Sequence, residues 1–229
     1  MLWTGGPVLV ATKLLIAVGS IGSVIVAFER GFLLRGFAAR ARDLHEQVVR
    51  ALLRGDGAQA RHECDRASFP TAALYRAALD RAAKPDKIPD AVDRARREVV
   101  QELRGPLWIL ATMGAVMPFI GLFGTVVGIL SAFHKMRDAQ GAPGFNVVAG
   151  DISEALITTA AGILVAVEAV IFYNYFQARV AREAFSISLQ AEEVTELVMD
   201  KAAQLAEGQA AKPDAPAANT TSATAPRTA

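Results

Sequence analysis

Three stretches of the chain are apolar on every helical face, while the rest repeats its apolar residues with a helical period. The first apolar run goes from Pro7 to Phe28 and is interrupted only by Lys13. The second, Leu107 to Phe133, carries no charge, and the third, Ile152 to Phe176, holds Glu154 and Glu168. A helix needs about 20 residues to cross ~30 Å of hydrocarbon, so each run is long enough to span a membrane. Backbone groups in hydrocarbon have no water to bond, which makes a helix the only workable form for each span.

The polar stretches read as helices too. HEQVVRALLRGDGAQARHECDRASF places Val48, Val49, Leu52 and Leu53 on one face before the GDG break, the pattern of a short helical hairpin. TAALYRAALDRAA predicts a further amphipathic helix, and Pro85 and Pro89 break the pattern after it. DAVDRARREVVQELRGP carries Val92, Ala95, Val99, Val100 and Leu103 at helical spacing and leads through a Gly105-Pro106 kink into the second span. Beyond Phe176 a charged helix continues, and from Gln209 the chain is mostly Ala, Pro, Thr and Ser, a composition expected to be disordered. The expected fold is all-α: a polytopic membrane protein with three transmembrane helices extending into a cytoplasmic helical bundle.

Charge adds a direction to this picture. Of 24 Lys and Arg residues, 16 lie between Arg30 and Arg104, two lie between His134 and Asp151, and none precedes the first span. The positive-inside rule then puts residues 30–106 in the cytoplasm, the N-terminus (1–29 with the first span) outside and the C-terminus inside. The remaining segments are a second span at 107–133, an outer loop at 134–151, a third span at 152–176, a cytoplasmic helix at 177–208 and a tail at 209–229. Lys13, about two turns into the first span, is expected to snorkel to the outer interface. The N-terminus has no basic region or A-x-A site ahead of its apolar run, so it reads as a retained span and not a cleaved signal. Net charge is +1 in 229 residues, which gives no electrostatic case for nucleic acid. One cysteine, Cys64, and three scattered histidines form no metal motif, and Cys64 is expected as a small buried hydrophobe. No nucleophile–base pair or phosphate loop points to an enzyme, and no cofactor is implied.

The second span carries a stripe of small residues. Gly114, Pro118, Gly121, Thr125, Gly128 and Ala132 recur every three or four positions, and Gly124 with Gly128 forms a GxxxG. Such a stripe lets two helix backbones approach closely. Pro118 leaves a carbonyl unpaired and is expected to kink the helix. If the second span runs outward and the third inward, Thr125 lies at the depth of Thr158 and Thr159 to within a turn, with Glu154 about a turn further out. These groups would line a narrow polar path.

An ionisable residue at membrane depth marks function by default. Hydrocarbon disfavours the charged form of a carboxylate, so such a group is suited to taking up and releasing a proton. Glu168 lies about 24 Å along the helix from Ile152. It falls only about 40° round the helix from Glu154, with Thr158, Ala161 and Val165 between them on that face. No basic residue of the spans is placed to pair with Glu168.

ELRGPLWILATMGAVMPFIGLFGTVVGILSAF and VAGDISEALITTAAGILVAVEAVIFYNYF resemble the second and third spans of the MotA/TolQ/ExbB proton channel family, more closely its ExbB/TolQ branch. The specific runs are Pro118 to Ile129 and Glu154 to Thr159; SVIVAFERGFLLR and LLRGDGAQARHECDRASFP add to the likeness. The resemblance implies a bacterial inner-membrane subunit with a periplasmic N-terminus and a cytoplasmic C-terminus. It implies a homo-pentamer around two copies of a single-span partner of the ExbD/TolR kind, with ion flow driving rotation and torque passing to a TonB- or TolA-like or gliding-machinery protein. It also implies that Glu154 is the channel glutamate and that Thr125 and Thr159 are the two channel threonines. Glu168 stands where this branch commonly has proline, a departure that bears on the local helix geometry and the inner half of the path; from its place on the stripe it is expected to act as a second relay group on the cytoplasmic side. The competing expectation is a non-conducting scaffold that organises envelope partners.

Overall fold

The computed structural model describes residues 7–138 and 145–210, with side chains from 7 to 137 and from 148 to 204. All regular structure in these residues is helical. The helices are α1 (Pro7–Leu34), α2 (Phe37–Leu53), α3 (Gly57–Arg66), α4 (Ala72–Leu79), α5 (Ile88–Arg104), α6 (Leu107–Asp138) and α7 (Phe145–Ala210), with a 3-10 turn at Pro85–Lys87. Three of them, those holding the three apolar runs, are long and apolar enough to cross a membrane. The tail expected from Gln209 lies outside the described residues from 211 on, as do 139–144 of the outer loop.

The helices run past the apolar stretches. α7 is 66 residues long without a break, roughly 99 Å at the α-helical rise. No proline or glycine stands where hydrocarbon gives way to water near Phe176, and Val180, Ile187, Val194 and Val198 prolong an apolar stripe on the polar half. The boundaries of the spans are therefore changes of side-chain chemistry on continuous rods.

Turns are set by glycines where the backbone is left-handed. The α2–α3 hairpin closes at Gly55 (φ 84°), where Gly55 N–H donates to Leu52 O and Asp56 N–H to Ala51 O, each at 3.0 Å. These are the two bonds that satisfy the last carbonyls of a helix ended by a left-handed glycine. Asp56 then caps α3, its side chain accepting from Gln59 N–H at 2.8 Å. At Gly105 (φ 38°) the α5 axis passes into α6. Arg30 of α1, 5% exposed, donates to the carbonyls of Glu102 and Leu103 at this junction and so fixes the end of α5 beside the first span.

Two cores result. In the polar half, Phe37, Val48 and Leu52 of α2, Cys64 of α3, Leu74 and Tyr75 of α4, Val92 and Val99 of α5, and Ile187 and Val194 of α7 form one large cluster. Deep in the apolar half a smaller cluster of Ile16, Met117, Val165 and Ala166 is jointly buried. Around them Ile21, Phe28, Phe119, Leu122, Leu164 and Ile171 point outward and are more than half exposed. That inside-out distribution suits a bundle surrounded by lipid or by further apolar helices.

Candidate functional site

The site is built where α1, α6 and α7 meet in the apolar half. α6 and α7 form the most extensive helix pair of the chain, and the glycine stripe is the reason. A Cβ added to Gly114 would lie 2.5 Å from Val170 Cγ2, one on Gly128 2.5 Å from Ala155 Cβ, and one on Gly124 2.8 Å from Thr158 Cγ2. The two backbones themselves approach closely at Gly121, where an added Cβ would sit 3.0 Å from Thr159 Cα. Its counterpart on α7 is Gly162, where an added Cβ would sit 2.8 Å from the Met117 carbonyl oxygen and 2.9 Å from Gly121 Cα. The small-residue reading of the second span did not extend to Gly162, although the run TTAAG that leads to it carried the same signal. α6 continues as a helix through Pro118.

These contacts place Gly124 level with Thr158 and Gly128 level with Ala155, so Thr125 lies at the depth of the α7 threonines. Thr12 of α1 joins the same layer, since a Cβ on Gly124 would lie 3.2 Å from Thr12 Cγ2. The hydroxyls, however, bind backbone. Thr125 donates to Leu122 O at 2.7 Å, Thr158 to Glu154 O at 3.0 Å and Thr12 to Val8 O at 2.9 Å. Thr159 donates across the helix pair to Gly121 O at 2.7 Å, which the two glycines allow by bringing the backbones together.

Glu154 sits about a turn outward of this layer and forms an ion pair with Lys13. The expected snorkelling lysine thus meets a carboxylate: α1 and α7 run parallel, Thr12 lies level with Thr158, and the Lys13 ammonium reaches about a turn outward to Glu154. One turn further out, Asp151 is bound by Lys135 of α6 at 2.7 and 3.0 Å. Pro7, Gly128, Ser131, His134, Lys135 and Asp151 line a cavity of about 250 Å³ at this end.

Glu168 is not brought to this group. Val165, on the stripe between the two glutamates, is buried with Ile16, Met117 and Ala166, so an apolar plug separates the acids on the face they share. Glu168 is half-buried, and no described residue hydrogen-bonds or ion-pairs with it. Among the described residues no cluster of three or more potential metal ligands occurs.

Fold and site together define a multi-pass helical membrane protein with ionisable groups embedded in its bundle of spans. The chain belongs to the MotA/TolQ/ExbB proton channel family, whose model matches residues 61–189, a stretch that contains both spans of the α6–α7 pair. Its relatives include the Tol-Pal system protein TolQ of Pseudomonas aeruginosa, 43% identical over 99 residues, which are 42% of this chain and 42% of that protein. The biopolymer transport protein ExbB of Xanthomonas campestris pv. campestris is 46% identical over 89 residues, 37% of this chain and 35% of the relative. A putative biopolymer transport protein ExbB-like 1 of Helicobacter pylori is 41% identical over 95 residues, 42% of this chain and 50% of the relative. The matched stretches thus span half or less of the length of each of these relatives.

Proposed function

We propose that this chain is an ion-channel subunit of a motor driven by the proton motive force in the bacterial inner membrane. In this reading it forms a homo-pentamer around a dimer of an ExbD/TolR-like single-span protein and energises an envelope process of the TonB-type transport, Tol–Pal or gliding kind. The observation that carries the proposal is Glu154, an ionisable group held at the junction of three spans, one turn from a layer of threonines, in a chain of the proton channel family. Glu154 takes up the proton on the periplasmic side. Thr125, Thr158 and Thr159 define the layer past which it moves, and Glu168 acts as a second relay group in the inner half. That no described residue pairs with Glu168 supports a partner across a subunit interface.

The test is proton flux through the complex purified from its native membrane with its co-purifying subunit, reconstituted in vesicles carrying a pH dye and energised by a potassium diffusion potential. Wild type is expected to acidify the vesicles, and Glu154→Gln is expected to assemble normally and conduct nothing. Equal flux from both removes Glu154 from the path. An inert wild-type complex that still binds its partners is the result expected of a scaffold.

A further inference from the structure

The ion pair between Lys13 and Glu154 already places a cation on one oxygen of the carboxylate that a metal cation would bind. Lys13 is the only basic residue in α1 between Pro7 and Phe28, and it lies outside the stretch matched by the family model. Its side chain is 24% exposed and that of Glu154 18%, so the pair is withdrawn from solvent on most sides. Inward, Thr12 and Thr158 close the layer beneath it, followed by Ile16, Met117 and Val165. Among the described residues the other charged or titratable groups at this end include Asp151 and Lys135, which bind one another, Arg137 in the last turn of α6, and His134 in the outer cavity.

We propose that Lys13 makes Glu154 selective for protons over sodium; the inference rests on the ion-path reading of Glu154 and deepens it. A sodium ion bound at Glu154 must share the carboxylate with the ammonium, or displace it and remain beside it, in a medium of low dielectric where two like charges repel strongly. It must also replace its hydration shell with several oxygen ligands converging on one point. A proton has neither requirement. It passes from a hydronium ion to one carboxylate oxygen, forming an O–H bond and leaving water, while the other oxygen still accepts from the ammonium of Lys13. When the proton moves on, that O–H bond breaks and the ion pair is restored. Lys13 keeps its charge throughout and acts as a positioning residue.

The experiment uses the same reconstituted complex, measuring proton flux in sodium chloride against choline chloride, together with uptake of radiolabelled sodium. Wild type is expected to give equal proton flux in both salts and background sodium uptake. Lys13→Met is expected to become sodium-sensitive, its proton flux falling about tenfold in sodium with sodium uptake above background. Lys13→Arg, which keeps the cation, is expected to behave as wild type. Sodium uptake by the wild-type complex overturns the inference without recourse to any variant, which covers the case in which Lys13→Met does not assemble. If Glu154→Gln abolishes flux while Lys13→Met remains indifferent to sodium, this inference fails and the ion-path reading stands. If Glu154→Gln conducts as wild type, or wild type conducts neither ion, the ion-path reading fails and takes the inference with it.

Discussion

Cys64 is fully buried in the polar-half core, and burial pushes its thiol up to about 11, well above the ordinary thiol range. Only the thiolate alkylates, so at about pH 8 native protein should react with a maleimide reagent far more slowly than protein unfolded in denaturant. Equal rates in the two states would show that α3 opens readily. Beside it, Tyr75 is also fully buried, and burial raises its phenol too. Its hydroxyl lies 3.1 Å from His45 Nδ1 and donates to Gln190 Oε1 at 3.4 Å, while His45 Nε2 meets Glu193 at 3.0 Å. Tyr75→Phe leaves the buried Gln190 oxygen without its donor, which costs about 1–3 kcal/mol. Thermal unfolding in detergent should show a Tm lower by several degrees. At this scale the sequence was half legible. Glu154 stood out because a carboxylate in an apolar run is costly, and the burial of Cys64 followed from its small apolar character. The pairing of Glu154 with Lys13, 141 positions away, did not, because it depends on how two helices far apart in the chain are rotated against each other.

At the scale of elements, the α6–α7 pair is set by Gly121 and Gly162. Replacing either by valine forces the backbones apart and breaks the Thr159 bond to Gly121 O, since the added atoms would fall within 3.1 Å of backbone. Each variant should lose roughly 1–3 kcal/mol of stability and be recovered poorly as a folded complex. Gly22→Ala is the control, because nothing lies within 4 Å of an added Cβ there, and its unfolding should stay within about 0.5 kcal/mol of wild type. The glycine stripe on α6 was visible in the sequence, since small residues at intervals of three or four lie on one face. Its counterpart on α7 was hidden among alanines and threonines, and only the crossing point distinguishes the glycine that must be small from neighbours that merely are. Span ends and helix ends differ for a related reason: hydropathy marks where lipid ends, whereas a helix ends at a break in backbone hydrogen bonding.

At the scale of the molecule, 16 of 24 basic residues lie between Arg30 and Arg104, on the helices of the polar half. With a cytoplasmic polar half, a cysteine at the exposed Ser68 in a Cys64→Ala background should react with a membrane-impermeant reagent in inverted vesicles but not in intact spheroplasts. The reverse pattern would place the N-terminus inside. The apolar exterior of the three spans, with Phe119, Leu164 and Ile171 more than half exposed, is matched to lipid or to further apolar helices. Native mass spectrometry of the complex should find five copies with two of the partner; a monomer would leave Glu168 facing lipid.

The sequence by itself determined the all-helical class, the three spans and the singular place of Glu154, because each follows from local chemistry: hydropathy over about 20 residues, helical period, and the cost of a charge in hydrocarbon. Tertiary structure alone decided what each polar group meets. It turned the threonine hydroxyls to backbone carbonyls, set an apolar plug between Glu154 and Glu168, and placed Lys13 on the first of them. Those outcomes depend on the rotation and depth of helices far apart in the chain, which no local pattern encodes.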